Sequence, residues 1–246
     1  MTTKRVALIT DVTHFVGEPS AKALIAEGIA VYGIDPSFGD KTARAAFTSK
    51  VPGIQCLEIN TAKETIGKII KAEGQLDILV NNDAYPPIKA RVEEARPEDL
   101  RATFEALVFK GFEMAAAAIP HMKQRQVGKI LFVTSATALT GMPAYSMYTS
   151  SRAAANAIAH TLALELAASN IQVNAMAPNF VQNPDYYPPE LMAKPEAAKK
   201  ILAQIPLGRL AKPEEAAALV SFLVGPQSDF ITGQTIPFAG GSAIAR

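Results

Sequence analysis

The chain has 246 residues, enough for one sizeable domain of the length over which α/β folds commonly run undivided, and we expect a single domain over 1–246. A formal net charge of +1, dispersed along the chain, gives no footprint for nucleic acid; one cysteine, Cys56, excludes an intrachain disulfide, and His14, His121 and His160 lack ligand spacing, so no metal site is expected. No uninterrupted apolar run reaches the ~18 residues of a membrane span, and Met1 to Val6 lacks the apolar core of a signal peptide, so the expectation is a cytoplasmic protein with no membrane contact.

Strand and helix patterns alternate from end to end. Val6 to Thr10 reads as a strand, Pro19 to Glu27 as a helix, Ala30 to Ile34 as a second strand and Asp40 to Thr48 as a helix. Ile54 to Ile59 reads as a strand holding Cys56 in a buried position, Ala62 to Ala72 as a helix and Leu76 to Asn81 as the fourth strand. Pro97 to Arg125 holds one or two helices. The short apolar run Lys129 to Thr134 is the fifth strand, followed by a turn at Gly141-Met142-Pro143 and a long alanine-rich helix from Ala144 to Ala168. A sixth strand, Ile171 to Ala177, leads into a proline-rich stretch ending at Pro206. A helix from Pro213 to Leu223 and a strand from Gln234 to Phe238 close the chain. Repeated βα units predict an α/β fold of Rossmann-like, doubly wound type: one parallel sheet with helices on both faces.

The chemistry concentrates in Ser135 to Arg152, which reads Ser-x12-Tyr-x3-Arg. Ser135 follows the fifth strand, at the carboxyl edge where open α/β sheets place ligands. Tyr148 and Arg152 lie one turn apart on the helix that follows, so they share a face. An ordinary tyrosine has a pKa of about 10. A nearby cation lowers an acid's pKa by roughly 1–3 units, and a guanidinium cannot lose its proton in response. Tyr148 therefore reads as a general base and Ser135 as a hydrogen-bond partner for a substrate oxygen. Alone, these three residues form a loosely spaced pattern that also fits a surface contact.

The first βα turn departs from a dinucleotide cradle, which needs glycines so that backbone can approach a pyrophosphate. Here Thr10-x4-Phe15-x-Gly17 keeps one glycine, puts Phe15 where a phosphate would lie, and brings Asp11 and Glu18 to an anion site. Asp35 ends the second strand, where an acidic residue would bind a ribose; without the cradle it reads as a turn residue before Pro36.

Over nearly its whole length the chain resembles the short-chain dehydrogenase/reductase superfamily. The resemblance rests on Asn81-Asn82-Asp83-Ala84, the Ser/Tyr pair, Asn174-Ala175-Met176-Ala177-Pro178, Pro206-Leu207-Gly208-Arg209, and Thr232-Gly233-Gln234 with Gly240-Gly241. It departs from the oxidoreductases of that superfamily at the first turn, at Arg152 in place of lysine, at Val108 in place of an asparagine and at Asn179 in place of a glycine. These departures are similar to the halohydrin dehalogenase branch. That resemblance implies an enzyme with no cofactor, which converts vicinal haloalcohols to epoxides and halide and opens epoxides with azide, cyanide, nitrite or halide. Ser135, Tyr148 and Arg152 would be catalytic. Phe15, Tyr85, Pro87, Pro178, Asn179, Phe180 and Val181 would form a halide site, with backbone N–H groups of the 178–181 loop as donors. Thr137, Met142, Tyr145, Tyr186 and Tyr187 would shape the substrate pocket, and a homotetramer is implied. The rival readings are an NAD(P)-dependent reductase with an atypical cofactor site and a non-catalytic scaffold.

Overall fold

The computed structural model describes residues 4–184 and 186–244; Met1, Thr2 and Thr3, which begin the segment read as lacking a signal-peptide core, lie outside them. Seven parallel strands form one sheet in the order β3-β2-β1-β4-β5-β6-β7. They are β1 (Val6–Ile9), β2 (Ala30–Ile34), β3 (Gln55–Leu57), β4 (Ile78–Asn81), β5 (Gly128–Val133), β6 (Ile171–Pro178) and β7 (Thr235–Phe238). The helices are α1 (Gly17–Ala26), α2 (Lys41–Lys50), α3 (Ala62–Glu73), α4 (Pro97–Phe104), α5 (Lys110–Arg125), α6 (Thr137–Thr140), α7 (Ser146–Leu166), α8 (Pro189–Met192), α9 (Pro195–Leu202) and α10 (Pro213–Val224). The chain order reverses between β1 and β4, and a crevice opens at such a switch point beyond the carboxyl ends of the strands.

The central strands read as continuous apolar runs because both faces are covered. On β1, Val6 and Leu8 pack with Ile69 of α3, Met114 of α5 and Leu162 of α7 on one face. Ala7 and Ile9 pack with Leu24 of α1 and Val220 of α10 on the other. Leu8 and Leu79 are fully buried, each contributing about 1.5–3 kcal/mol relative to exposure.

Several local expectations are corrected or made definite. The third strand is Gln55–Leu57, shorter than 54–59; it is the edge of the sheet, so Cys56 is only half-buried and Ile59 is exposed. The 97–125 segment is two α-helices joined through a π-turn, Glu105–Phe109, that carries Val108. The long helix starts at Ser146 because Ala144 takes a left-handed φ of 65°, which helix backbone cannot use. The proline-rich stretch contains α8 and α9, each with proline in its first turn, where the missing N–H costs nothing.

Candidate active site

Thr134 N donates to Met176 O at 2.7 Å and Ala136 N to Pro178 O at 3.0 Å, so the β5–β6 ladder continues past the end of β5 and holds Ser135 between them. Ser135 is buried, and its Oγ accepts from Thr137 N at 3.2 Å and Thr137 Oγ1 at 2.9 Å. Both lone pairs are thereby occupied, which leaves its own proton free to point elsewhere.

Tyr148 stands in the first turn of α7, and Arg152 follows on the buried face of that helix. The Arg152 guanidinium carbon lies 5.2 Å from the centre of the Tyr148 ring. Nη1 donates to Val133 O and Nη2 to Asp83 O, each at 3.0 Å, while Nε is buried without a partner among the described residues. Two carbonyls from adjacent strand ends thus fix both terminal nitrogens of the planar guanidinium.

Behind Arg152, Asp83 accepts from Thr10 Oγ1 at 2.8 Å. Burial, and then the negative charge of Asp11, push its carboxyl up to about 6. Burial also raises the carboxyl of Asp11, whose Oδ2 accepts from Ala84 N at 2.9 Å. Asn82 Nδ2 donates to the carbonyls of Asp11 and His14, at 3.0 and 2.9 Å, and ties the first βα turn to the end of β4.

Ser135, Thr137, Tyr148, Arg152, Asn82 and Asp83 face a cavity of about 200 Å³. Every candidate residue from the sequence lines it except Tyr85, which is half-buried outside the lining. Asn82, Asp83, Ala84, Val133 and Thr134 line it as well, and sequence reasoning gave none of these a role. Two signals could have found Asn82, Asp83 and Ala84: they belong to the Asn81-Asn82-Asp83-Ala84 motif that carries the resemblance, and they fall just beyond the central strand β4, at the switch point. Phe15 and Phe180 both hold left-handed backbone, with φ of 48° and 56°, conformations that cost a non-glycine residue about 1–3 kcal/mol. Phe15 meets Tyr186 edge to face at 6.2 Å, and Phe180 packs on Tyr187 at 6.2 Å. The Tyr187 hydroxyl is pushed up to about 12 by burial, against the Phe180 N–H, so it stays a neutral donor.

The 178–181 loop offers fewer donors than its sequence suggests. Asn179 N donates to Phe238 O at 3.0 Å and Phe180 N to the Asn179 side chain at 2.9 Å. Phe180 O and Gln182 N both bond Ala211, so the alternation of extended backbone turns the Val181 N–H away from Ala211. It has no protein acceptor among the described residues.

The residues of the first turn do not fit a dinucleotide. Phe15 stands between the cavity and the surface groove over α1, lining both. Asp35 is more than a turn residue: Thr13 and Ser37 bind both its oxygens, and although burial opposes ionisation these hydrogen bonds hold its carboxyl below the usual range. A ribose would find it occupied. The expected repulsion from Glu18 is corrected, because Lys22 and Lys50 grip its carboxylate at 2.8 and 2.6 Å. Phe15 in the turn and the commitment of Asp35 to Thr13 and Ser37 both weigh against the fit; Glu18 adds nothing to it. Among the described residues no cluster of His, Cys, Asp or Glu is placed to hold a metal, and no helix is long and apolar enough to cross a membrane.

Comparison with known proteins agrees with this architecture. Residues 14–243 match a family model described as enoyl-(acyl carrier protein) reductase. The 3-oxoacyl-(acyl-carrier-protein) reductase FabG of Thermotoga maritima is 31% identical, over 98% of each chain. A solved structure described as a dehalogenation enzyme is 43% identical, covers 98% of this chain and 99% of its own, and superposes with a TM-score of 0.94. A halohydrin dehalogenase (HheC) bound to ethyl (2S)-oxiran-2-ylacetate is 36% identical over 98% of each chain, with a TM-score of 0.92. The chain belongs to the short-chain dehydrogenase/reductase superfamily, and within it to the halohydrin dehalogenase branch.

Proposed function

We propose that the protein converts vicinal haloalcohols to epoxides and halide without a nicotinamide cofactor. The observation that carries this reading is the convergence of Ser135, Tyr148 and Arg152 on a cavity that Phe15 walls off from the groove a dinucleotide would need. Thr137 saturates the Ser135 oxygen, so the Ser135 proton is directed to the substrate hydroxyl oxygen. Tyr148 takes the hydroxyl proton, and the Arg152 cation favours the negative charge its ring carries. The alkoxide oxygen forms its bond to the neighbouring carbon as the carbon–halogen bond breaks, and the halide leaves with the electron pair. One proton passes from Tyr148 to solvent in each turnover. Nucleophile and leaving group belong to one molecule, so the site's work is alignment and stabilisation of the departing anion.

The Val181 N–H serves the halide, with Phe15, Pro87, Pro178, Asn179 and Phe180 excluding water around it. Run backwards, the same site opens epoxides with small anions such as azide, cyanide or nitrite, and Tyr148 returns the proton. The epoxide bound by a 36%-identical neighbour supports that class of ligand. A homotetramer in the cytoplasm completes the reading.

The 31%-identical reductase favours a second reading, an NAD(P)-dependent reductase. Two measurements on the purified protein separate them. Nicotinamide fluorescence titration is expected to show no binding, and chloride is expected to be released from 1,3-dichloro-2-propanol at about pH 8 with no cofactor added. Saturable NAD(P)H binding without chloride release would reverse the choice.

A further inference from the structure

We infer that a second chamber adjoining the catalytic cavity receives the substituent of the substrate, and that Lys89 selects substituents ending in a carboxylate. The inference rests on the dehalogenase reading. The chamber has a volume of about 660 Å³ and shares Thr137, Met142, Tyr145, Asn179, Phe180 and Tyr187 with the catalytic cavity. Phe15 lines the cavity and not the chamber, whereas Asn179 and Phe180 line both, so the chamber lies across the 178–181 loop from the Phe15 wall. The cavity itself, at about 200 Å³, fits a small haloalcohol; a longer chain must leave it, and this chamber is the space that adjoins Ser135's own hydrogen-bond partner, Thr137.

The chemistry of the chamber is one-sided. Its lining holds a single charged side chain, Lys89, and no acid. Three of the other polar groups of its wall are engaged by backbone carbonyls. Thr140 Oγ1 donates to Ala136 O, Gln204 Nε2 to Lys200 O and Ser242 Oγ to Ala239 O, at 3.3, 3.2 and 2.8 Å. Lys89 makes no ion pair and no hydrogen bond among the described residues, so its ammonium has three donors to spare. Its backbone is not loose: Ala90 N donates to Ala144 O at 2.9 Å and pins this loop beside the turn that carries Tyr145. Met142 and Ile201 supply apolar wall for a methylene stem. The fitting class is therefore a vicinal haloalcohol or epoxide carrying a carboxylate a few carbons from the reacting centre.

The test compares kcat/KM for 4-chloro-3-hydroxybutanoate and its neutral amide, 4-chloro-3-hydroxybutanamide, in the wild type and in Lys89→Gln, Lys89→Glu and Lys89→Arg. The wild type is expected to prefer the carboxylate. That preference should fall about two- to fivefold in Lys89→Gln, further in Lys89→Glu, and persist in Lys89→Arg. Raising ionic strength should shrink the wild-type preference, because the contact is exposed. Turnover of the amide with a carboxylate preference that is absent, or unchanged in Lys89→Glu, would overturn the inference and leave the dehalogenase reading standing. Turnover of neither compound, nor of 1,3-dichloro-2-propanol, would overturn that reading and the inference with it.

Discussion

Replacing Arg152 tests the electrostatics of the site. Its guanidinium carbon lies 5.2 Å from the ring centre of the half-buried Tyr148, and its two terminal nitrogens are held by buried backbone carbonyls. At an effective dielectric of about 20, a unit charge at that distance is worth about 3 kcal/mol to a negative charge on the ring. Losing it corresponds to a factor of about 100 in rate. Arg152→Met should therefore lower kcat/KM for haloalcohol roughly 100-fold. Arg152→Lys keeps a cation but offers one nitrogen on a flexible stem in place of the two that bond Val133 O and Asp83 O, so an intermediate loss of about 10-fold is expected. The lysine variant should also lose activity toward high pH, as its ammonium deprotonates around 10. Initial rates of chloride release from pH 6 to 10 read both effects, with circular dichroism confirming that each variant folds. A Met variant within threefold of wild type would show that the cation does not act on Tyr148.

Asp83 gives a stability signature. With a carboxyl pushed up to about 6 by burial and Asp11, against an ordinary 3.8, the folded protein holds a proton that the unfolded chain releases between those values. That stabilisation is present at low pH and is lost as pH rises through about 6, a change on the order of 2–3 kcal/mol. Asp83→Asn keeps an acceptor for Thr10 and removes the titration, so its stability relative to wild type in urea should improve between pH 4.5 and 7.5; an equal difference at both values would contradict the assignment. A Cβ added to Gly17 would lie 2.5 Å from Val12 O, so Gly17→Ala should destabilise by about 1–3 kcal/mol in urea unfolding, and an unchanged midpoint would show that the turn can relax. Phe15→Gly should weaken product inhibition by halide without creating NAD affinity, because Thr13 and Ser37 still hold Asp35; tight NAD binding in a nicotinamide titration would undo that argument.

The sheet was legible because strands buried on both faces are short apolar runs that little else resembles, and β2 and β5 fall within a residue of their expected limits. Strand end and helix spacing put Ser135 at the carboxyl edge and Tyr148 and Arg152 on one helix face but left a surface contact open; it took the resemblance to read them as a site, and all three line one cavity. What escaped was backbone geometry. The left-handed φ of Phe15 and Phe180 has no sequence marker, since glycine is the residue expected there. Prolines that open α8 and α9 look the same as prolines that end a helix, so the two helices were hidden inside a loop. Donor accounting was equally invisible: only the hydrogen bonds to Phe238 and to the Asn179 side chain show that Val181 is the backbone donor left in the 178–181 loop. The resemblance placed Tyr85 in the halide site; it lies outside the cavity, whereas its near neighbours Ala84 and Pro87 line it.

The most direct test of cofactor-independent dehalogenation is stoichiometry. Purified wild-type protein, with 1,3-dichloro-2-propanol and no nicotinamide, should form chloride, epichlorohydrin and protons in a 1:1:1 ratio, and Tyr148→Phe should form none above background. Full activity in Tyr148→Phe, or chloride release only when NAD(P) is added, would contradict the account.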